Sequence, residues 1–238
     1  MNSDATPDIP DSAQANANLD NVFQCIPSER IEPYVRRCEG DRRRALSLYA
    51  WNTSASGAMY EVMGHFEVML RNAIDSALAS RHNFKKRSGD WLDNNHGELS
   101  DKAAETINAA REEVRHNGKP VTRGAIIAEL NFGFWIRLLD RRYESKWGSA
   151  VMRTFPKLKR PNNNDMDNLR TLVEPIYKLR NRVAHHEPIW YINISNREAD
   201  MLQCIRFINE DMAVWTTSAS RLRQVLDSCP APASVLRR

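Results

Sequence analysis

The clearest pattern in the chain is a run in which Met59, Val62, Met63, Phe66, Met69, Leu70, Ala73, Ile74, Ala77 and Leu78 recur at steps of three and four. That is the period of an amphipathic helix of about twenty residues. Upstream, Ala45, Leu46, Leu48 and Tyr49 follow the same spacing behind Asp41, a good helix cap, and Asn52-Thr53-Ser54 reads as a polar interruption between the two runs. Before them, Ile31, Tyr34 and Val35 predict a short helix capped by Ser28. Downstream, Trp91-Leu92 anchors a polar loop, and a helix is expected from Ser100 to His116, stopped by Asn117-Gly118. Thr122 caps a stretch bearing Ile126, Ile127 and Leu130. The segment from Phe132 to Leu139 is the most apolar of all and reads as core, with Gly133 either permitting a close helix approach or marking a turn.

A short apolar piece from Trp147 to Phe155 and a polar linker from Pro156 to Asn164 lead to a long helix capped by Asn164 or Asp165. It carries Leu169, Leu172, Val173, Ile176 and Leu179; Pro175 within it implies a kink or a late start near Glu174. After the apolar run from Ile189 to Ile192, Ser195 or Asn196 caps a helix through Met201, Ile205, Ile208, Met212 and Trp215, and a last helical piece covers Leu222 to Leu226. No strand alternation is sustained enough to build a sheet and no repeat is present, so the expected fold class is all-α, a helical bundle in one domain. The expected division is a disordered tail over 1–27, poor in large apolar residues, a helical domain over 28–216, and a helical piece with a flexible tail over 217–238.

With 238 residues and 42% of them apolar, the chain can bury a sizeable core. It has no apolar run long enough for a membrane span and no secretory-type N-terminus, which implies a soluble, cytoplasmic protein with no membrane partner. Cys25, Cys38, Cys204 and Cys229 are far apart and suggest free, mostly buried thiols. The net charge of +4 is modest, but basic residues are clumped at Arg36-Arg37, Arg42-Arg43-Arg44, Lys85-Lys86-Arg87, Arg141-Arg142 and Lys157 with Lys159-Arg160. Such clumps suit a phosphate-bearing partner, although solvated helix faces carry them as well.

Chemistry concentrates in Arg180-Asn181-Arg182-Val183-Ala184-His185-His186-Glu187-Pro188, at the end of the long helix. Arg180 and His185 are about 140° apart around a helix, whereas Asn181 and His185 share a face. Arg180 falls within the arc of Leu169, Val173 and Ile176, where a charge is costly unless paired. It therefore calls for an acidic residue from a neighbouring helix or a second copy of the chain. One reading of the stretch is a cationic helix end favoured by the macrodipole, with Pro188 forcing the exit. A metal site fits less well, because adjacent histidines diverge on a helix and no further ligand is spaced for them. The catalytic reading is acid–base chemistry on a phosphodiester: an imidazole moves protons near neutral pH, and a guanidinium gathers phosphate oxygens. It needs neither metal nor cofactor. On the first long helix Glu67, Arg71 and Asp75 follow at i, i+4 with Asn72 beside them and His65 nearby, which by itself reads as a surface ladder of ion pairs.

The run RNRVAHHEP resembles the R-N-x-x-x-H form of the R-x4-6-H signature of HEPN domains, in particular the Abi-like (AbiD/AbiF-type) branch of abortive-infection proteins. ALSLYAWNTSASGAMYEVMGHFEVMLRNAID is similar to that branch's second helix with its E-x-x-x-R-N element, and GAIIAELNFGFWIRLL is similar to its middle apolar block. The resemblance spans roughly Ser28 to Trp215. It implies a helical bundle that forms a homodimer with two motifs lining a shared cleft, and a metal-independent endoribonuclease acting in anti-phage defence or as a toxin. RNA is the implied substrate, and an antitoxin or guide-like RNA is a partner the family allows. Carried over, Arg180 and His185 are the catalytic pair, Asn181 orients the site, and Glu67 pairs with Arg180 or positions it. Arg71, Asn72, Arg182 and His186 are supporting residues. His186 also satisfies the looser spacing. Where toxins silenced by nucleotide transfer carry a tyrosine two positions after the histidine, this chain has Glu187, so the resemblance does not extend to that control. The alternative is a non-catalytic RNA-binding or dimeric assembly module of a defence system.

Overall fold

The computed structural model describes residues 13–158 and 165–230, and among them the regular structure is helical throughout, with no strand. Its spine is α3, which follows α1 (Ala13–Cys25) and α2 (Ser28–Arg37) and runs without a break from Arg42 to Phe84. Asp41 caps it by accepting from the Arg44 N–H. The polar interruption expected at Asn52-Thr53-Ser54 does not form. Thr53 turns its hydroxyl back to the Tyr49 carbonyl, and Asn52 is buried with a partner of its own, so neither breaks the backbone ladder.

The remaining helices pack on this spine or on one another. They are α4 (Asp101–His116), α5 (Arg123–Glu129), α6 (Phe132–Arg137), α7 (Ser149–Arg153), α8 (Asp165–Ala184), α9 (Ile194–Ile208), α10 (Glu210–Ala219) and α11 (Leu222–Asp227). α3 packs most extensively on α9, and also on α2, α7 and α11, while α8 lies on α9. Buried Met59, Met63, Phe66, Leu70 and Ile74 from α3 meet Phe132, Phe134 and Trp135 of α6, Ile176 of α8 and Ile205 of α9 in one core. Two buried indoles find partners, Trp51 donating to the Val225 carbonyl at 2.8 Å and Trp147 to that of Leu138 at 2.9 Å, whereas Trp135 Nε1 has none among the described residues. At Gly133 a Cβ would stand 2.8 Å from the Tyr177 hydroxyl, so the glycine serves close approach of α6 to α8.

Ser100 and Thr122 cap α4 and α5 as expected, and Gly118, with φ +66°, follows the end of α4. Other boundaries move. Order begins before Ser28, because Leu19, Phe23 and Ile26 pack on the core and Arg42 pairs with Asp20 and lies over the Phe23 ring. The tail expected over 1–27 is thus helical from Ala13, and residues 1–12 lie outside the described ones. Pro27, not Ser28, precedes α2, with no side-chain cap. α8 begins at Asp165 and includes Pro175, so it does not start late near Glu174, while the Asn164 alternative for its cap lies outside the described residues. Asn193 caps α9 in place of Ser195 or Asn196, and Asn209 caps a separate α10 where one helix was expected. The break leaves Trp215 exposed. Cys38 and Cys204 are buried, but Cys25 is exposed. Among the described residues no helix is long and apolar enough to cross a membrane.

Much of the clumped basic charge is neutralised within the fold. Glu98 receives a two-pronged guanidinium from Arg81 at 2.5 and 2.6 Å and a second from Arg87, and these hydrogen bonds hold its carboxyl down at about 2. Because the folded value lies below the ordinary one near 4.5, the stabilisation is full above that pH and is lost as pH falls towards 2. Glu98→Gln is expected to cost on the order of 3 kcal/mol at pH 7, since the carboxylate held at about 2 by its arginines is lost. The cost should shrink through pH 4 to 2 in urea unfolding curves followed by circular dichroism.

Candidate functional site: the α3–α8 groove

The motif helix meets the spine through one ion pair. Arg180 Nε donates to Glu67 Oε1 at 2.9 Å, with the two side chains 28% and 26% exposed. This is the acidic partner from a neighbouring helix that Arg180's place on the apolar arc requires. Partial burial puts the pair above an exposed ion pair in strength, at about 1.5–3 kcal/mol for a charge-assisted hydrogen bond. Using Nε for Glu67 leaves the outer guanidinium nitrogens with no partner among the described residues.

Past Arg180, α8 ends in a tightly held turn. The His186 N–H returns to the Val183 carbonyl at 3.1 Å and the Glu187 N–H to that of Arg182 at 2.8 Å, the paired bonds of a Schellman ending. His186 takes the left-handed position with φ +54°, where glycine is usual. Arg30, from α2, donates to the carbonyls of His185 at 3.2 Å and His186 at 2.7 Å, satisfying helix-end acceptors. Arg182 turns onto the Pro188 carbonyl at 3.1 Å, pairs with Glu187 and lies over the Tyr191 ring. One step on, the Ile189 N–H donates to the buried Asn52 side chain at 2.7 Å.

These contacts sort the sequence-derived residues. Glu67 and Arg180 are brought together. His185 is exposed, and neither its ring nor the Asn181 amide has a hydrogen-bond partner among the described residues. Arg182 is committed to the turn, as is the backbone of His186. The ladder of Glu67, Arg71 and Asp75 is absent as such. Glu67 goes to Arg180, Asp75 accepts from Trp91 Nε1 and pairs with Arg123, and Arg71 makes only a long contact to Asn72 at 3.4 Å. Arg71 therefore has no carboxylate partner among the described residues. Sequence reasoning missed Arg30 and Asn52. Asn52 lies on the same face as Met59, Met63 and Leu70, and a polar residue there is a legible signal once α3 is read as one helix. Nothing in the sequence singled out Arg30. Among the described residues no group of three or more His, Cys, Asp or Glu side chains could hold a metal ion.

A helical bundle with a carboxylate-braced arginine one to two turns before an exposed histidine is an arrangement suited to binding anions. Residues 34–191 match the model of the Abi-like protein family, and the chain belongs to that family. No curated protein and no solved structure matches the chain.

Two substitutions probe the turn. Asn52→Leu should cost about 1–3 kcal/mol, because the buried Ile189 N–H loses its acceptor. His186→Gly should stabilise by up to about 1 kcal/mol, by relieving the left-handed conformation. Both are read as midpoint shifts in chemical denaturation.

Proposed function

We propose that this protein is a metal-independent endoribonuclease of the HEPN type acting in abortive-infection defence. The observation that carries the reading is Arg180 braced by Glu67 at 2.9 Å, on the helix turn that leads to an exposed and unengaged His185. Membership in the Abi-like family and the uncompensated Arg71 on the neighbouring helix support it.

In this reading Arg180 presents its outer nitrogens to the non-bridging oxygens of a phosphodiester, while Glu67 fixes its orientation. His185 takes the proton from the ribose 2′-hydroxyl as the 2′-oxygen bonds to phosphorus. The phosphorus–O5′ bond breaks, and a proton enters at the 5′-oxygen from a second imidazole, supplied in a homodimer by His185 of the other copy. The products are a 2′,3′-cyclic phosphate and a 5′-hydroxyl. Asn181, half-exposed on the His185 face, orients the substrate, and Arg71 adds positive charge along the same groove.

Arg180→Ala and His185→Ala should each reduce cleavage of a labelled RNA pool by at least about a hundredfold, the scale of losing a general base or an oxyanion-stabilising group. Both should remain folded, and EDTA should leave the wild-type rate unchanged. His186→Ala should cleave nearly as well as wild type. Equal cleavage by all variants sinks the mechanism. Salt-sensitive RNA binding without cleavage by wild type points instead to the non-catalytic binding module.

A further inference from the structure

The α3 face that carries Glu67, the partner of Arg180, continues towards Tyr60 as an exposed stretch. Asn52 meets Ile189 beyond the end of α8, and Glu67, further along α3, meets Arg180. The two helices are therefore antiparallel. His185 stands about 7.5 Å of helical rise beyond Arg180, which places it level with residues 59–62 of α3. On α3 the positions 60, 64, 67 and 71 follow at i, i+4, i+7 and i+11 and form one stripe. Tyr60 and Gly64 thus share the face of Glu67 and Arg71, and Tyr60 lies at the level of His185. Opposite, the α8 side rises from Arg180 through Asn181, half-exposed, to Ala184 and His185, both exposed.

Two features of that stretch are not explained by the packing of the chain on itself. Tyr60 is 56% exposed, in the middle of the helix that forms the core. Gly64, one turn on, is exposed, and a Cβ added to it would meet no atom within 4 Å. A glycine in a helix interior costs about 1 kcal/mol relative to alanine, and no contact inside this chain calls for one. The result is an exposed aromatic side chain one turn from a side-chain-free stretch of α3, on the stripe that carries Glu67 and Arg71.

We propose that Tyr60 and Gly64 form a nucleobase subsite: a base of single-stranded RNA stacks on the Tyr60 ring, and the missing side chain at Gly64 admits it. The subsite deepens the RNA-directed reading of the Arg180–His185 site and rests on it for the identity of the ligand. Aromatic platforms of this kind hold bases with little sequence preference, because every base offers a π-face. The chemistry is graded along α3, with stacking at Tyr60 and phosphate contacts at Arg180 and Arg71 about two to three turns away.

The test measures binding of a labelled single-stranded oligoribonucleotide in the His185→Ala background, where cleavage cannot interfere. Adding Tyr60→Ala should weaken binding roughly tenfold, within the range found for losing one base stack. Tyr60→Trp should keep it, and Gly64→Leu should weaken it like Tyr60→Ala. With an abasic oligomer of the same ribose–phosphate backbone, Tyr60→Ala and Tyr60→Trp should bind equally. Undiminished binding by Tyr60→Ala overturns the subsite, as does an equal loss with the abasic oligomer or no RNA binding by the parent. A change of oligomeric state on Tyr60→Ala or Gly64→Leu, seen by sedimentation, also overturns it and makes the stripe a contact between copies. The two readings separate cleanly. Wild-type cleavage without the Tyr60 contrast removes the subsite alone, and the contrast without cleavage removes the endoribonuclease alone.

Discussion

A guanidinium placed on the apolar arc of α8 constrains much of what surrounds it. Arg180 has to be paired, and the carboxylate that pairs it sits on the one helix long enough to run the length of the fold. The pair uses Nε of Arg180 and leaves its outer nitrogens without a hydrogen-bond partner among the described residues. A neutral residue at 180 would pack without a partner but would leave no cation in the groove. Structural need and chemical capacity are thus two consequences of one charge in one position.

The end of α8 is braced from three directions. Arg30 comes from α2, Asn52 from α3 and Arg182 from α8 itself, and all three bond to backbone groups of the turn between His185 and Ile189. Helix ends normally fray because their carbonyls lack partners. Here the turn is held by charge-assisted bonds while the His185 ring stays exposed. A fixed backbone beneath an unengaged side chain is the arrangement a proton-transferring group needs, since its reach is set without tying up its nitrogens.

Charge in this protein is spent mostly on itself. Arg81 and Arg87 converge on Glu98, Arg123 on Asp75 and Asp90, and Arg170 on Glu144 and Asp167. Members of the basic clumps are drawn in too, Arg42 by Asp20, Arg141 by Asp167 and Lys157 by Glu210, so clumping by itself does not locate a binding surface. Between α3 and α8 charge is left partly uncommitted, at Arg71 and at the outer nitrogens of Arg180, the arginine of the motif that the family resemblance picks out.

The sequence by itself determined the all-helical class, because apolar residues at steps of three and four and well-placed Asp, Ser and Thr caps are local signals. It also determined that Arg180 could not be a solvated residue, since its angular position follows from the helical period alone. It erred where local polarity competed with tertiary partners. Asn52-Thr53-Ser54 reads as a break only if Asn52 must face water, and the Leu19–Phe23–Ile26 stripe is too short to announce a helix without a core to pack on. Only the tertiary structure decided that Arg30 and Asn52 belong to the motif's turn, that Arg71 is left without a carboxylate among the described residues, and that Tyr60 and Gly64 stand exposed on α3. Those facts depend on which helices lie side by side and in what register, and that is set by burial across the whole core rather than by any segment's own pattern.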